Sequence, residues 1–140
     1  MTDHSQIRAV VGRYFSAINS DSFEELREVL SSTVELHMGS SPIVRGIDAA
    51  LDFYRAVLGP FASHYDDPVR TLVDEQATCA IVEIDFVGEG RGGTSVRFTA
   101  VDIFEFDSRG FVGKLRSLYD TAGVAALMRA DRAAASQGGV

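Results

Sequence analysis

The sequence is poor in the residues on which several specialised chemistries depend. One cysteine, Cys79, in 140 residues excludes an internal disulfide and every multi-cysteine metal cage, and it suits a reducing compartment. Tryptophan is absent and there are only three histidines, none at metal-ligand spacing from another, so no cofactor or metal is expected and the chemistry must come from few residues. Positive charge is also scarce, with 13 Lys and Arg against 20 Asp and Glu, a net charge of −7. That balance argues against electrostatic attraction to nucleic acid or to an anionic membrane, and points to a neutral partner. No apolar run approaches the roughly 20 residues that cross a bilayer. Met1 to Arg8 is polar and lacks the basic segment and apolar stretch of a signal peptide, so a cytoplasmic protein is expected.

What is present is a chain with 46% hydrophobic residues and the length of one domain. The domain is expected over 1–128. The Ala- and Gly-rich tail, 129–140, is expected to fray.

The first half reads as helix. Ile7, Val10, Val11, Tyr14, Phe15 and Ile18 fall on one stripe of a 3.6-residue period and predict an amphipathic helix. Ser22 and Glu25 stand at capping-box spacing before a short second helix with Phe23, Leu26, Val29 and Leu30 on its apolar face. Ile47, Leu51, Tyr54, Leu58 and Phe61 repeat helically from Gly46 until Gly59 and Pro60 stop a third helix.

The second half reads as strand. β-branched and aromatic residues dominate from Ala80 to Val87 and from Thr94 to Phe106. Shorter strands are expected near Thr33 to Met38, Val69 to Val73 and Phe111 to Tyr119. The glycines at 88, 90, 92 and 93 read as a hairpin loop, and Asp107 to Gly110 as a second turn. Helices followed by a meander predict an α+β fold with three helices covering one face of a curved, mostly antiparallel sheet. Gly88, Gly90 and Gly93 also match a GxGxxG fingerprint, but a dinucleotide site needs a helix after its glycines. Here Thr94 to Phe98 alternate as a strand.

Asp102 is the most informative polar residue. Its face of the strand reads Val96, Phe98, Ala100, Asp102, Phe104, Phe106, five apolar side chains around one carboxyl. Burial without a cationic neighbour raises a carboxyl's pKa, and a neutral acid can donate a hydrogen bond to a developing oxyanion. The alternative is a carboxylate that accepts buried donors and holds the sheet together. Tyr14 is a similar exception, a hydroxyl on an otherwise aliphatic and Phe stripe, where it either serves a site or packs with its OH at the core's edge. Tyr54 is a weaker case on the third helix.

Among the histidines, His4 is expected in a mobile terminus and His64 in a loop beside Tyr65, Asp66 and Asp67. His37 lies two residues after Glu35 on the first strand, so both point the same way. Together they are either a general base beside a carboxylate or a polar outward face with Val34, Leu36 and Met38 turned inward. Glu83 and Asp85 form a second acidic pair, read as solvated.

Over about positions 7–120 the chain resembles the nuclear transport factor 2-like superfamily, in its ketosteroid isomerase and SnoaL-like branch. Gly12, Arg13, Tyr14, Phe15 is similar to the segment bearing that isomerase's hydrogen-bonding tyrosine, and Phe53, Tyr54, Arg55 to its third-helix segment. Val101 to Asp107, followed by Gly110, Leu115 and Arg116, resembles the strand whose aspartate is the protonated partner of the oxyanion-hole tyrosine. The resemblance implies a cone-shaped domain enclosing an apolar pocket, and a homodimer through the outer sheet face. It also implies proton transfer next to the carbonyl of a steroid-like or polyketide-like substrate. Tyr14 and Asp102 would bind the oxygen and His37 would move the proton, with Glu35, Leu36, Tyr54, Asp85 and Phe98 around the substrate. Thr33, Val34, Glu35 resembles the segment before the isomerase's catalytic aspartate, but Leu36 stands in the aspartate's place. A non-catalytic ligand-binding or dimerisation module is the alternative that this departure favours. Limonene epoxide hydrolase, another branch, uses an Asp, Arg, Asp set. Asp85 resembles one of these aspartates, while Glu83 and Ser117 stand where the arginine and the other aspartate are expected.

Overall fold

The structure, a computed structural model, describes residues 3–138. Helix α1 spans His4–Asn19, a 3-10 helix Phe23–Glu28 and α2 Ile47–Leu58. The strands are β1 Leu30–Met38, β2 Val44–Arg45, β3 Phe61–Val73, β4 Cys79–Gly90, β5 Ser95–Phe106 and β6 Val112–Leu118, and α3 Thr121–Gly138 is the last described element. They form one six-stranded sheet of order β2-β1-β6-β5-β4-β3. Every pairing is antiparallel except β1 with β6. This is the expected α+β arrangement of helices on a curved sheet.

Period-2 alternation sorts the sheet's two faces. Val82, Ile84 and Phe86 of β4, Val96, Ala100 and Phe104 of β5, Leu115 of β6 and Val34, Leu36 and Met38 of β1 are buried. The stripe of α1 (Ile7, Val11, Tyr14, Phe15, Ile18) and Ala50, Leu51 and Tyr54 of α2 join them in one core. The convex face carries Asp67, Asp85 and Thr99 in one cross-strand row and Arg70, Glu83 and Val101 in the next.

Four local expectations change. The second helix is a 3-10 turn, and Ser22 makes no capping bond from its side chain. The reciprocal capping box forms instead at Asp3 and Gln6, at the start of α1, where His4 also meets the carbonyls of Asp74 and Glu75 through Nε2 at 2.9 and 3.2 Å. Phe61, expected on the repeat of the third helix, and His64 to Asp67, expected in a loop, are both strand. They lie in the first half of the 13-residue β3, an edge strand with register shifts between Phe61 and Ser63 and between Pro68 and Arg70. Proline is tolerated there because an edge strand with a bulge can do without that donor. Gly88 and Gly90 lie within β4, so the hairpin turn is shorter than the run of glycines suggests, and a strand follows it rather than a helix.

The fourth change is the tail. Residues 129–138 continue α3 without a break, because an alanine-rich run is a strong helix former and because the helix is docked. Asp131, 2% exposed, accepts from the Thr94 amide at 3.0 Å through Oδ1. Gly90 and Gly92 make room for it, since a Cβ on either would collide with Asp131.

Candidate active site

Between the helices and the concave face lies a cavity of about 110 Å³ lined by, among others, Tyr14, Tyr54, Asp66, Asp102, Ser117 and Tyr119. Each polar group arrives from a different element. Tyr14 comes from α1 and Tyr54 from α2, and their hydroxyls are 2.7 Å apart. The Tyr14 ring meets Phe15 and Phe104 edge-on, with centroids 5.0 and 5.1 Å away. Tyr54 lies parallel to Phe23 at 6.4 Å. These contacts fix the rings and hence the hydroxyls. Burial pushes both phenols well above their ordinary range, so both are neutral donors at physiological pH.

Asp102 is 6% exposed. Burial raises its carboxyl to about 7, Asp66 adds to the effect, and the Ser117 side chain opposes it. Ser117 faces it directly across β6. Among the described residues Asp102 Oδ1 finds no hydrogen-bond partner. A buried, unsatisfied carboxyl oxygen costs a fold on the order of 1–3 kcal/mol and marks a place where a ligand atom can supply what the protein does not.

Asp66 is the residue that the sequence pattern hid. It reaches the concave face because β3 pairs Asp66 with Phe86 and His64 with Gly88. Burial lifts its carboxyl to about 6, against the pull of His64. The Asn19 side chain clamps its backbone, donating to the Asp66 carbonyl at 2.9 Å and accepting from its amide at 2.8 Å. The signal available was the apolar Phe61 followed by His64 and Asp66. A one-residue bulge puts all three on one face, and a bulge cannot be read from spacing.

The expected site residues divide cleanly. Tyr14, Tyr54, Phe98 and Asp102 line the cavity. Glu35, Leu36, His37 and Asp85 do not. Leu36 is wholly buried in the core, while its neighbours Glu35 and His37 alternate to the other face. There His37 Nε2 meets Glu35 Oε1 at 3.1 Å, and Arg45 of β2 pairs with Glu35 Oε2 at 2.8 Å. His37 therefore cannot deliver a proton into the cavity, which corrects the base expected from the sequence. Asp85 is exposed, 3.4 Å from the Thr99 hydroxyl, and Glu83 faces Arg70 at 4.0 Å. No hydrolase-like trio forms with Ser117. Among the described residues no group of three or more His, Cys, Asp and Glu side chains could hold a metal ion.

A second chamber of about 360 Å³ adjoins the first and shares Val57, Leu58, Phe86, Phe98 and Tyr119 with it. Phe86, Phe98 and Tyr119 stack in series, with centroids 4.5 and 5.0 Å apart. Val124, Ala125 and Met128 of α3 close the far side. The tail helix that the composition did not reveal is thus a wall of this second chamber.

A helix-covered curved sheet around an apolar pocket with a few convergent polar groups defines a small-molecule pocket domain. The family model for the SnoaL-like domain matches residues 11–113, and the chain belongs to that family. Solved structures share the fold. A protein described as a SnoaL-like polyketide cyclase from Jannaschia sp. CCS1 superposes with a TM-score of 0.80 at 19% identity, over 91% of this chain and 97% of its own. One described as a polyketide cyclase from Xanthomonas campestris gives 0.82 at 13%, over 91% and 99%. An LEH-like epoxide hydrolase from M. tuberculosis gives 0.73 at 15%, over 93% and 94%. Among curated proteins no sequence match was found. At these identities the likeness carries the fold alone, and function must be argued from the site.

Proposed function

We propose that the protein is an isomerase or cyclase that moves a proton next to the carbonyl of a hydrophobic, polyketide-like or steroid-like compound. The carrying observation is the buried, unpartnered Asp102 Oδ1 beside the Tyr14 and Tyr54 hydroxyls and the Asp66 carboxyl in one cavity. The carbonyl oxygen accepts hydrogen bonds from the tyrosine pair and from protonated Asp102. The Asp66 carboxylate takes the proton from the adjacent carbon. That C–H electron pair moves into the C–C bond, and the carbonyl π pair moves onto oxygen to give an enolate. Return of the proton from Asp66 to a different carbon completes an isomerisation; in a cyclisation the enolate carbon instead attacks an internal carbonyl, whose π pair moves onto its oxygen, and that oxygen takes the proton back from Asp66. Burial raises both carboxyls, Asp66 to about 6 and Asp102 to about 7, into the range where a carboxyl can serve as base or acid near neutral pH. The compact inner cavity suits the carbonyl end, and the apolar chamber beneath α3 suits the remainder of the molecule.

A panel of β,γ-unsaturated ketones followed by absorbance tests the reading. One oxyanion donor is worth about 3 kcal/mol in the transition state, so Asp102→Ala should lower turnover by about a hundredfold. Unchanged turnover in that variant removes the mechanism. The alternative, binding without catalysis, is favoured by Leu36 in the place of the family's base. Tight binding of ketones with no conversion at any pH would establish it.

We also propose a homodimer through the convex face, where Leu72, Ile81 and Leu118 are 57%, 42% and 54% exposed, and a cytoplasmic location, for which the single Cys79 is the support. No helix among the described residues is long and apolar enough to cross a membrane.

A further inference from the structure

The turn that follows α1 holds both His64 and Asp66. Asn19 clamps the Asp66 backbone, and two residues later Asp21, in a left-handed conformation at φ 56°, places Oδ1 2.7 Å from His64 Nε2. The His64 side chain is 5% exposed and that of Asp21 63%. The other ring nitrogen, Nδ1, is buried and finds no hydrogen-bond partner among the described residues. Phe61 packs against the ring with its centroid 6.5 Å away.

His64 and Asp66 are two residues apart on the concave face of β3, which puts their Cα atoms roughly 7 Å apart. An imidazole pinned by a surface carboxylate and shielded from water faces Asp66 through a weakly screening medium, so any charge on the ring is felt there. We propose that Asp21 and His64 form an ionisation control for the cavity. Asp21 fixes the His64 ring beside Asp66, and the positive charge that the ring can carry there favours Asp66 as a carboxylate able to accept a proton. His64 is thus a positioning residue that acts through Asp66, and its functional meaning rests on the role proposed for Asp66 above.

A negative charge on Asp66 makes the other ionisable groups it reaches harder to ionise, and these are Asp102 of β5, Tyr14 of α1 and Tyr54 of α2, none of which can carry a positive charge. None of them can replace the histidine. On the outer side, Glu89 of β4 and Arg97 of β5 share with His64 a surface depression, so opposite charges flank the ring there and Asp21 is its direct partner.

The test is an NMR titration of the full chain with ¹³C-carboxyl-labelled aspartate, which needs no substrate. In the wild type the Asp66 midpoint is expected near 6. In His64→Gln it should rise by roughly one pH unit, as expected on losing a nearby opposite charge. In Asp21→Asn it should rise in the same direction by less. An Asp66 midpoint that stays in place in folded His64→Gln overturns the proposal. If that variant does not fold, Asp21→Asn, altered at an exposed side chain, decides alone, with a rise supporting the proposal and no change overturning it. The outcome is separable from catalysis. A shifted midpoint in a protein that converts no ketone preserves the electrostatic device and removes the role of Asp66 in turnover. Turnover with an unshifted midpoint removes the device only.

Discussion

The hydroxyls of Tyr14 and Tyr54 face each other at 2.7 Å in the wall of the cavity. One of the two donates and the other accepts, so the accepting tyrosine keeps its own proton free. The pair therefore offers one O–H to a ligand whichever way the shared bond runs, and burial keeps both phenols neutral. This arrangement makes the two residues partly redundant. On an unsaturated ketone that is turned over, Tyr14→Phe and Tyr54→Phe should each lower kcat/KM by about tenfold or less. The double variant should lose about a hundredfold, the usual effect of deleting an oxyanion donor. Equal losses in one single variant and in the double would show that this tyrosine alone serves the oxygen.

A second prediction concerns stability and pH. Asp102 titrates near 7 in the folded chain rather than near its ordinary 3.8. Its burial is therefore tolerated fully when it is protonated, below the unfolded value, and stability is lost as pH rises through the folded value. One pKa unit corresponds to roughly 1.4 kcal/mol, so ionising this group in place costs on the order of 4 kcal/mol. Asp66, at about 6, adds a loss of the same sign. Urea midpoints should fall between pH 5 and pH 8, and Asp102→Asn should flatten most of that slope. A midpoint that rises across the interval would contradict the buried, neutral state of Asp102.

Much of this site was legible in the sequence, and the limits have physical causes. Asp102 stood out because five apolar neighbours on its strand face leave a carboxyl no other environment, and alternation alone conveys that. Tyr14 was visible for the same reason on a helical stripe. His37 was misleading because a carboxylate two residues away marks a shared face without saying which face. Burial of Val34, Leu36 and Met38 decides it, and their apolar alternation was already the stronger signal. Asp66 was hidden by a bulge and by the polar composition of an edge strand. The docking of α3 was hidden as well, because it depends on Asp131 meeting a turn 37 residues away.

The convex face supplies a third prediction. Leu72, Ile81, Ile103 and Arg116 form one row across β3 to β6, and Val101 and Leu118 lie in the next row. An exposed apolar band of this kind marks an interaction site more often than idle surface. Size-exclusion chromatography with light scattering should give a mass of twice 15.1 kDa. Leu72→Glu with Ile81→Glu should convert it to a single-chain mass, since two buried charges per subunit are costly at an apolar interface. A wild-type chain that elutes with the mass of one subunit at tens of micromolar would remove the dimer.

The last prediction tests whether α3 is a working wall of the ligand space. Its anchor is the Asp131 carboxylate, whose pKa is lowered by the amides of Thr94 and Gly92. Gly90→Ala would drive a Cβ into that carboxylate, while leaving the backbone of β4 in a conformation any residue adopts. Overpacking of this kind costs about 1–3 kcal/mol, and here the strain can be relieved by undocking the helix rather than by unfolding the sheet. The amides of 124–138 should exchange with deuterium faster in Gly90→Ala, and those of β4 and β5 much less so. Undocking withdraws Val124, Ala125 and Met128 from the larger chamber, so affinity for extended hydrophobic ketones should fall while small ketones that occupy only the inner cavity bind as before. Equal loss for both classes would mean that the inner cavity also depends on the helix, and no loss for either would mean that α3 does not contact the ligand.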